Sequence, residues 1–125
     1  MAGRNIKLTA LDGSPIEDAA LSADFRAAEK AGPIWIGRTA FYYRDGLKKH
    51  IIPFTEIDQF SIRVESVPTH VDTGVLNVQI YHLILSSGEQ ELTDIRTENE
   101  EHVDRVQALL VERIPNLRIG ETQQI

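Results

Sequence analysis

The chain contains no cysteine. Disulfides and thiolate metal sites are therefore excluded. It also lacks long apolar runs. The longest nearly apolar stretch, Ile80 to Leu85 (IYHLIL), falls far short of the roughly 20 residues a membrane-spanning helix needs. The opening MAGRNIKLTALDG has no apolar core of the kind a secretion signal carries. A cytoplasmic, unanchored protein is the expectation. Basic charge is in short supply too, with 13 Lys and Arg against 19 Asp and Glu and a net charge of -6. That sign opposes generic attraction to nucleic acid or anionic lipid, because both are bound mainly through Lys and Arg. No glycine-rich phosphate loop, no H-E-x-x-H and no G-x-S-x-G elbow is present, so three common catalytic or phosphate-binding signatures are missing. No repeat or low-complexity tract interrupts the chain.

What remains is an ordinary globular composition, 42% hydrophobic and 26% charged over 125 residues. That is enough for one domain with a real core. The charge is unevenly spread. Between Pro33 and His50 stand Arg38, Arg44, Lys48 and Lys49 against Asp45 alone. Between Gly88 and Asp104, seven acids face only Arg96. Two solvated faces are the plainest reading of this asymmetry.

Local patterns predict mostly antiparallel strands. A short strand is read over Asn5–Thr9. In GSPIED, Ser14, Pro15 and Glu17 look like a helix start, yet Leu21, Ala23, Phe25 and Ala27 alternate with polar residues. Alternation is a strand period, so a strand is predicted over about 20–29, with a helical turn before it. From Pro33 the signal sharpens. PIWIGRTAFYYR is rich in β-branched and aromatic residues, and Gly37 within it marks a turn or bulge. Asp45-Gly46 signals a hairpin, KKHIIPF returns, and Pro53 belongs at a strand end or edge. QFSIRVESV alternates Phe60, Ile62 and Val64 against Ser61, Arg63 and Glu65. PTHVDTG reads as a loop, VLNVQIYHLIL as a strand, SSGEQ as a turn and ELTDIR as a short strand. A last helix is predicted over about 98–114. Thr97 is its cap, Glu100 completes a capping box, and Val103, Val106, Leu110 and Ile114 recur at helical spacing.

The phrase IGRTAFYYRDGLKKHIIPFTEIDQF, with Ile52, Pro53, Ile57 and Phe60, resembles the pleckstrin-homology-like (PH-like) barrels, especially small bacterial PH-like and GRAM-like domains. The resemblance covers roughly residues 20–115. It implies an α+β fold: a bent antiparallel sheet or partly open barrel of about six to seven strands, capped by the C-terminal helix. Residues 1–19 would then be an N-terminal extension and 118–125 a flexible tail. It also implies a non-catalytic interaction module, since such barrels mostly bind lipids or proteins. Lipid-binding members use a basic loop between their first two strands. Here that loop, EKAGP, holds only Lys30.

The candidate residues follow. Tyr42, Arg44, Lys48 and Lys49 form a partner-binding set on the central hairpin, since exposed Tyr and Arg favour interfaces. The partner is a protein or a second copy. Anionic lipid at the basic hairpin 38–50 is the alternative. His70 and Asp72, with His82 further on, form a candidate polar site for a small ligand or acid–base chemistry. A surface loop and a hydrogen-bonded core histidine are the plainer readings of these three. No catalytic residue, metal ligand set or cofactor is expected, nor a nucleic-acid partner.

Overall fold

Hairpin turns set the architecture. In the computed structural model, which describes residues 4–125, β5 (Ala40–Asp45) and β6 (Lys48–Pro53) pair around Gly46-Leu47. Gly46 has φ +62°, the left-handed value that the first central position of a II′ turn requires. The connections β3 (Glu29–Ala31) to β4 (Ile34–Ile36) and β8 (Gly74–Ser87) to β9 (Gln90–Thr97) also turn on two residues with glycine first. The longest pair is β7 (Gln59–Val71) with β8, 13 and 14 residues long.

Two sheets result. The first has the order β2-β1-β6-β5-β4-β3, where β1 is Leu8–Thr9 and β2 is Pro15–Ile16. The second has the order β10-β7-β8-β9. Here β10 is Arg118–Ile119, and β11 (Gln123–Gln124) also pairs with β7. The α+β class is thus correct, but no strand joins the two sheets into a closed barrel among the described residues. Instead the β9 edge faces Pro33, Tyr43 and Arg44 across an open cleft of about 390 Å³.

The main core lies between the sheets and the second helix, α2 (Glu100–Arg113). Val103, Val106, Leu109 and Leu110 on α2 pack with Ile36, Phe41, Ile52, Phe60, Leu83 and Leu85. Burial of each such side chain contributes about 1.5–3 kcal/mol. Arg113 anchors the helix end by donating to the carbonyl of Gly37 (2.9 Å) and to Glu29 Oε2 (2.7 Å).

Several sequence expectations need correction. The predicted strand over 20–29 is mostly the helix α1, Ala19–Arg26, capped by Asp18, whose Oδ1 accepts from the Leu21 amide (2.9 Å). The apparent alternation counted Ala23 and Ala27 as buried, yet both are exposed. Leu21 and Phe25, one helical turn apart, make the packing contacts. Ser14 is not a helix cap; it donates to Asp12 in a turn. The N-terminal segment is no mere extension. Leu8 is fully buried in a second apolar cluster with Ala40, Tyr42 and Ile51 on the other face of the first sheet. Asn99, not Thr97, caps α2, because Thr97 is still paired with Tyr81 as the last residue of β9. The helix is not the last element. The expected flexible tail instead forms β10 and β11 in parallel along β7, with Gly120 donating to Phe60 and Ile125 to Val64, both at 2.9 Å. Finally, PTHVDTG is not a loop. β7 and β8 continue through it to a turn at Asp72-Thr73.

Candidate functional site: the projecting arm and its base

The extended β7–β8 hairpin outruns its neighbours. β9 pairs with β8 only over Tyr81–Ser87, and β10 and β11 pair with β7 only up to Val64. Residues 65–71 and 74–80 therefore form a two-stranded arm with both outer edges unpaired among the described residues. Pro68 on β7 has no N–H to offer at such an edge, which blunts it. The β8 edge has no such guard.

Register decides what each face carries. Val67 lies opposite Val78, Thr69 opposite Leu76 and Glu65 opposite Ile80. Alternation then collects Val67, Val71, Leu76, Val78 and Ile80 on one face. The reverse face holds Ser66, Pro68, His70, Val75, Asn77 and Gln79, mostly polar. Val71, Val75 and Leu76 are 44%, 60% and 57% exposed. In a chain that is 26% charged, the stretch from Ser66 to Ile80 holds one carboxylate, Asp72, and no Lys or Arg. Exposed edge strands ordinarily carry charges that prevent association. An isolated two-stranded ribbon is also marginally stable in water.

At the arm's base the same face turns polar. His82 is buried, with Nδ1 2.9 Å from Asp94 Oδ1 and Nε2 3.0 Å from Glu65 Oε1. A neutral imidazole carries one N–H and can donate to only one of them. The pair of carboxylates therefore favours the imidazolium. Burial pulls the His82 pKa down, but the hydrogen bonds to Glu65 and Asp94 and the Asp94 charge outweigh it, so the pKa lies above the ordinary histidine value. Arg63 and Arg96 flank His82 on β7 and β9. Arg63 is ion-paired with Glu91, whereas Arg96 makes no salt bridge among the described residues. The two imidazole nitrogens point at different carboxylates, so the trio offers no shared point for a metal, and no metal-holding group of three occurs among the described residues.

The predicted site residues fare unevenly. Tyr42 cannot serve as an exposed anchor. It is fully buried under α1, with its hydroxyl donating to Asp24 Oδ2 (2.7 Å). Burial and then the Asp24 contact push its pKa up. Arg44 is exposed and lines the cleft beside β9 together with Arg96. Lys48 is exposed, and Lys49 lies over the Phe25 ring at 5.5 Å. Between the basic residues Leu47 is fully exposed at the turn. His70 and Asp72 sit at the arm's tip. His82 lies seven residues down β8 from His70's partner Val75, about 23 Å away at strand rise. The structure does not bring these three together into one polar site.

Sequence reasoning missed Glu65 and Asp94. Alternation placed Glu65 with Arg63 on the outer face, but only the inter-strand register brings both carboxylates to His82. It also missed Asp24. That side chain accepts from Tyr42 and from the Arg38 amide (2.8 Å), and it lies where a Cβ at Gly37 would come within 2.1 Å of its Oδ2.

Two meander sheets, a packed helix and a protruding amphipathic arm define a small α+β domain whose most distinctive surface is a ribbon. Over residues 4–125 the chain matches the model of a family described as "Domain of unknown function (DUF6709)", and it belongs to that family. No curated protein and no solved structure matches it.

Proposed function

We propose that the chain is a non-catalytic, PH-like interaction module that engages a protein through its β7–β8 arm. The order of elements supports the PH-like part: a four-strand meander β3–β6, a three-strand meander β7–β9, then α2. The arm carries the functional part. Between Ser66 and Ile80 it holds no Lys or Arg and one carboxylate at its tip, with five aliphatic side chains on one face and an unguarded β8 edge, which suits strand addition or face packing by a partner.

The test is a pull-down from the native host with tagged wild type and Leu76→Asp. Leu76 is exposed, so the change should leave the fold intact. A partner kept by wild type and lost by the variant supports the module. A partner that ignores the variant moves the interface off the arm.

A second reading rests on the β5–β6 turn, where fully exposed Leu47 stands among Arg44, Lys48 and Lys49. An apolar wedge ringed by cations suits anionic lipid, at about 1 kcal/mol per cation near such a surface. Sedimentation with phosphatidylserine vesicles, with Lys48→Glu plus Lys49→Glu as control, checks it. Equal binding by the double variant removes the idea.

A further inference from the structure

Glu65 is the first arm residue on β7. Its contact with His82 Nε2, at 3.0 Å, is the one hydrogen bond that an arm side chain makes to the body among the described residues. On the other side of the ring, Nδ1 lies 2.9 Å from Asp94 on β9. The imidazole is thus a pin between the ribbon and the sheet that the ribbon leaves. Beyond the pin the arm depends on the β7–β8 ladder, and a two-stranded ribbon is only marginally stable in water.

The pin holds in one protonation state. An imidazolium donates to both carboxylates at once. When it gives one proton to solvent, one ring nitrogen is left with a lone pair aimed at a carboxylate, and neither group can donate. The two links are not equal. Asp94 stands on a strand paired with β8 from Tyr81 to Ser87. Glu65 stands one residue past Val64, where β7 has lost its outer neighbour. Its side chain is also longer by one methylene. Glu65 is therefore the side that yields, turning to water while Nδ1–H stays on Asp94.

The other charged groups around the ring are Arg63, opposite it on β7 and paired with Glu91, and Arg96, opposite it on β9. Both guanidiniums disfavour the imidazolium, and the two carboxylates favour it. Glu89 and Glu121 line the hollow that holds Arg63 and Glu91. Arg44 and Asp45 on β5, opposite in sign, share a cleft with Asp94 and Arg96. Glu100 and Asp104 on α2 lie beside Tyr81, on the other face of β8. All of these keep their charge between about pH 6 and about pH 9, so the ring alone changes state.

We propose that His82 is a proton latch for the arm: charged, it pins the ribbon at its root, and neutral, it lets go of Glu65 and frees the ribbon to swing. This rests on the interaction-module reading and adds its regulation. A partner meets a preorganised arm while the ring is charged. It binds more weakly once the ring is neutral, because ordering the arm then costs affinity.

Backbone amide NMR relaxation through a pH titration tests this, with the ring nitrogens' own shifts reporting when His82 becomes neutral. Thermal melts establish that each variant is folded. While the ring is charged, the arm amides between Ser66 and Gln79 should have order parameters of about 0.85, like those of Leu83 and Leu85 in the body. As the ring loses its proton, the arm values should fall towards about 0.6 while the body values stay. Glu65→Gln should abolish the change. Its amide donates to the neutral ring's Nε2 while Nδ1–H stays on Asp94, so the arm remains pinned on both sides of the titration. His82→Gln should leave the arm loose at every pH. Three results overturn the latch: arm relaxation that does not change as the ring titrates, a body that loosens together with the arm, or a Glu65→Gln arm that loosens like wild type. The relaxation measurement needs no partner, so the two readings fail separately. A host protein lost on Leu76→Asp but captured equally on both sides of the titration would overturn the latch and leave the interaction module standing.

Discussion

His82 and Asp94 are joined across β8 and β9 by a 2.9 Å contact, and Glu65 on β7 closes the other side of the same ring at 3.0 Å. One imidazolium thus ties three strands together where the arm leaves the body. Arg63 and Arg96 stand in register on either side of it, with Glu91 paired to Arg63 and with Glu89 and Glu121 lining the same hollow as that pair. The folded state holds the His82 pKa above its ordinary value. Its contribution to stability is therefore fully present below the unfolded pKa of about 6.5 and is lost as pH rises through the folded pKa. The melting-temperature difference between wild type and His82→Gln should shrink as pH is raised across that window. A difference that stays flat would mean that the ring is held neutral.

Tyr42 and Asp24 fasten α1 to the first sheet. Tyr42→Phe removes one buried donor and should cost about 1–2 kcal/mol. Asp24→Ala should cost more, since it also strips the Arg38 amide of its acceptor. Urea denaturation of both variants checks the order. The reverse order would place the stabilisation in the hydroxyl's other contact, the Leu21 carbonyl at 3.3 Å.

Asn99 caps α2 by accepting from the Glu101 amide. Asn99→Ala should lower stability by about 1 kcal/mol. Thr97→Ala should do less, because Thr97 lies in β9 and, among the described residues, its hydroxyl accepts only from the Asn99 amide. Equal losses would return the cap to Thr97.

Leu110 and Val111 are neighbours on α2 with opposite fates, one fully buried and the other exposed. Leu110→Ala should destabilise by about 2–5 kcal/mol, and Val111→Ala by less than about 0.5 kcal/mol. Chemical denaturation measures both. Similar losses would mean that Val111 is covered in solution.

Amide exchange tests the C-terminal strands. The amides of Gly120 and Ile125, bonded to Phe60 and Val64, should exchange more slowly than that of Asp72 in the arm's turn. Equally fast exchange would return residues 118–125 to the status of a loose tail.

Much of this molecule was legible in local chemistry. Glycine-led turns, β-branched runs and the 3.6-residue apolar stripe of α2 act within a few residues of themselves, so the sequence by itself determined the strands between Pro33 and Val67 and between Val75 and Arg96, the Asp45-Gly46 hairpin and the last helix. It also determined the charge of each stretch and the absence of thiol chemistry. The rest depended on partners distant in the chain. Whether 20–29 was helix or strand turned on which apolar residues met the first sheet, and only Leu21 and Phe25 did. Tyr42 looked like an anchor because alternation cannot tell which face α1 will cover. Residues 118–125 have no apolar pattern of their own and are ordered by hydrogen bonds to β7. The trio of His82, Glu65 and Asp94 exists only through register, since a slip of one residue would turn Glu65 to the other face. The arm followed the same rule. Its sequence held the valines and lacked the charges, but only the early end of β9 and of the β7 pairings left that ribbon without neighbours.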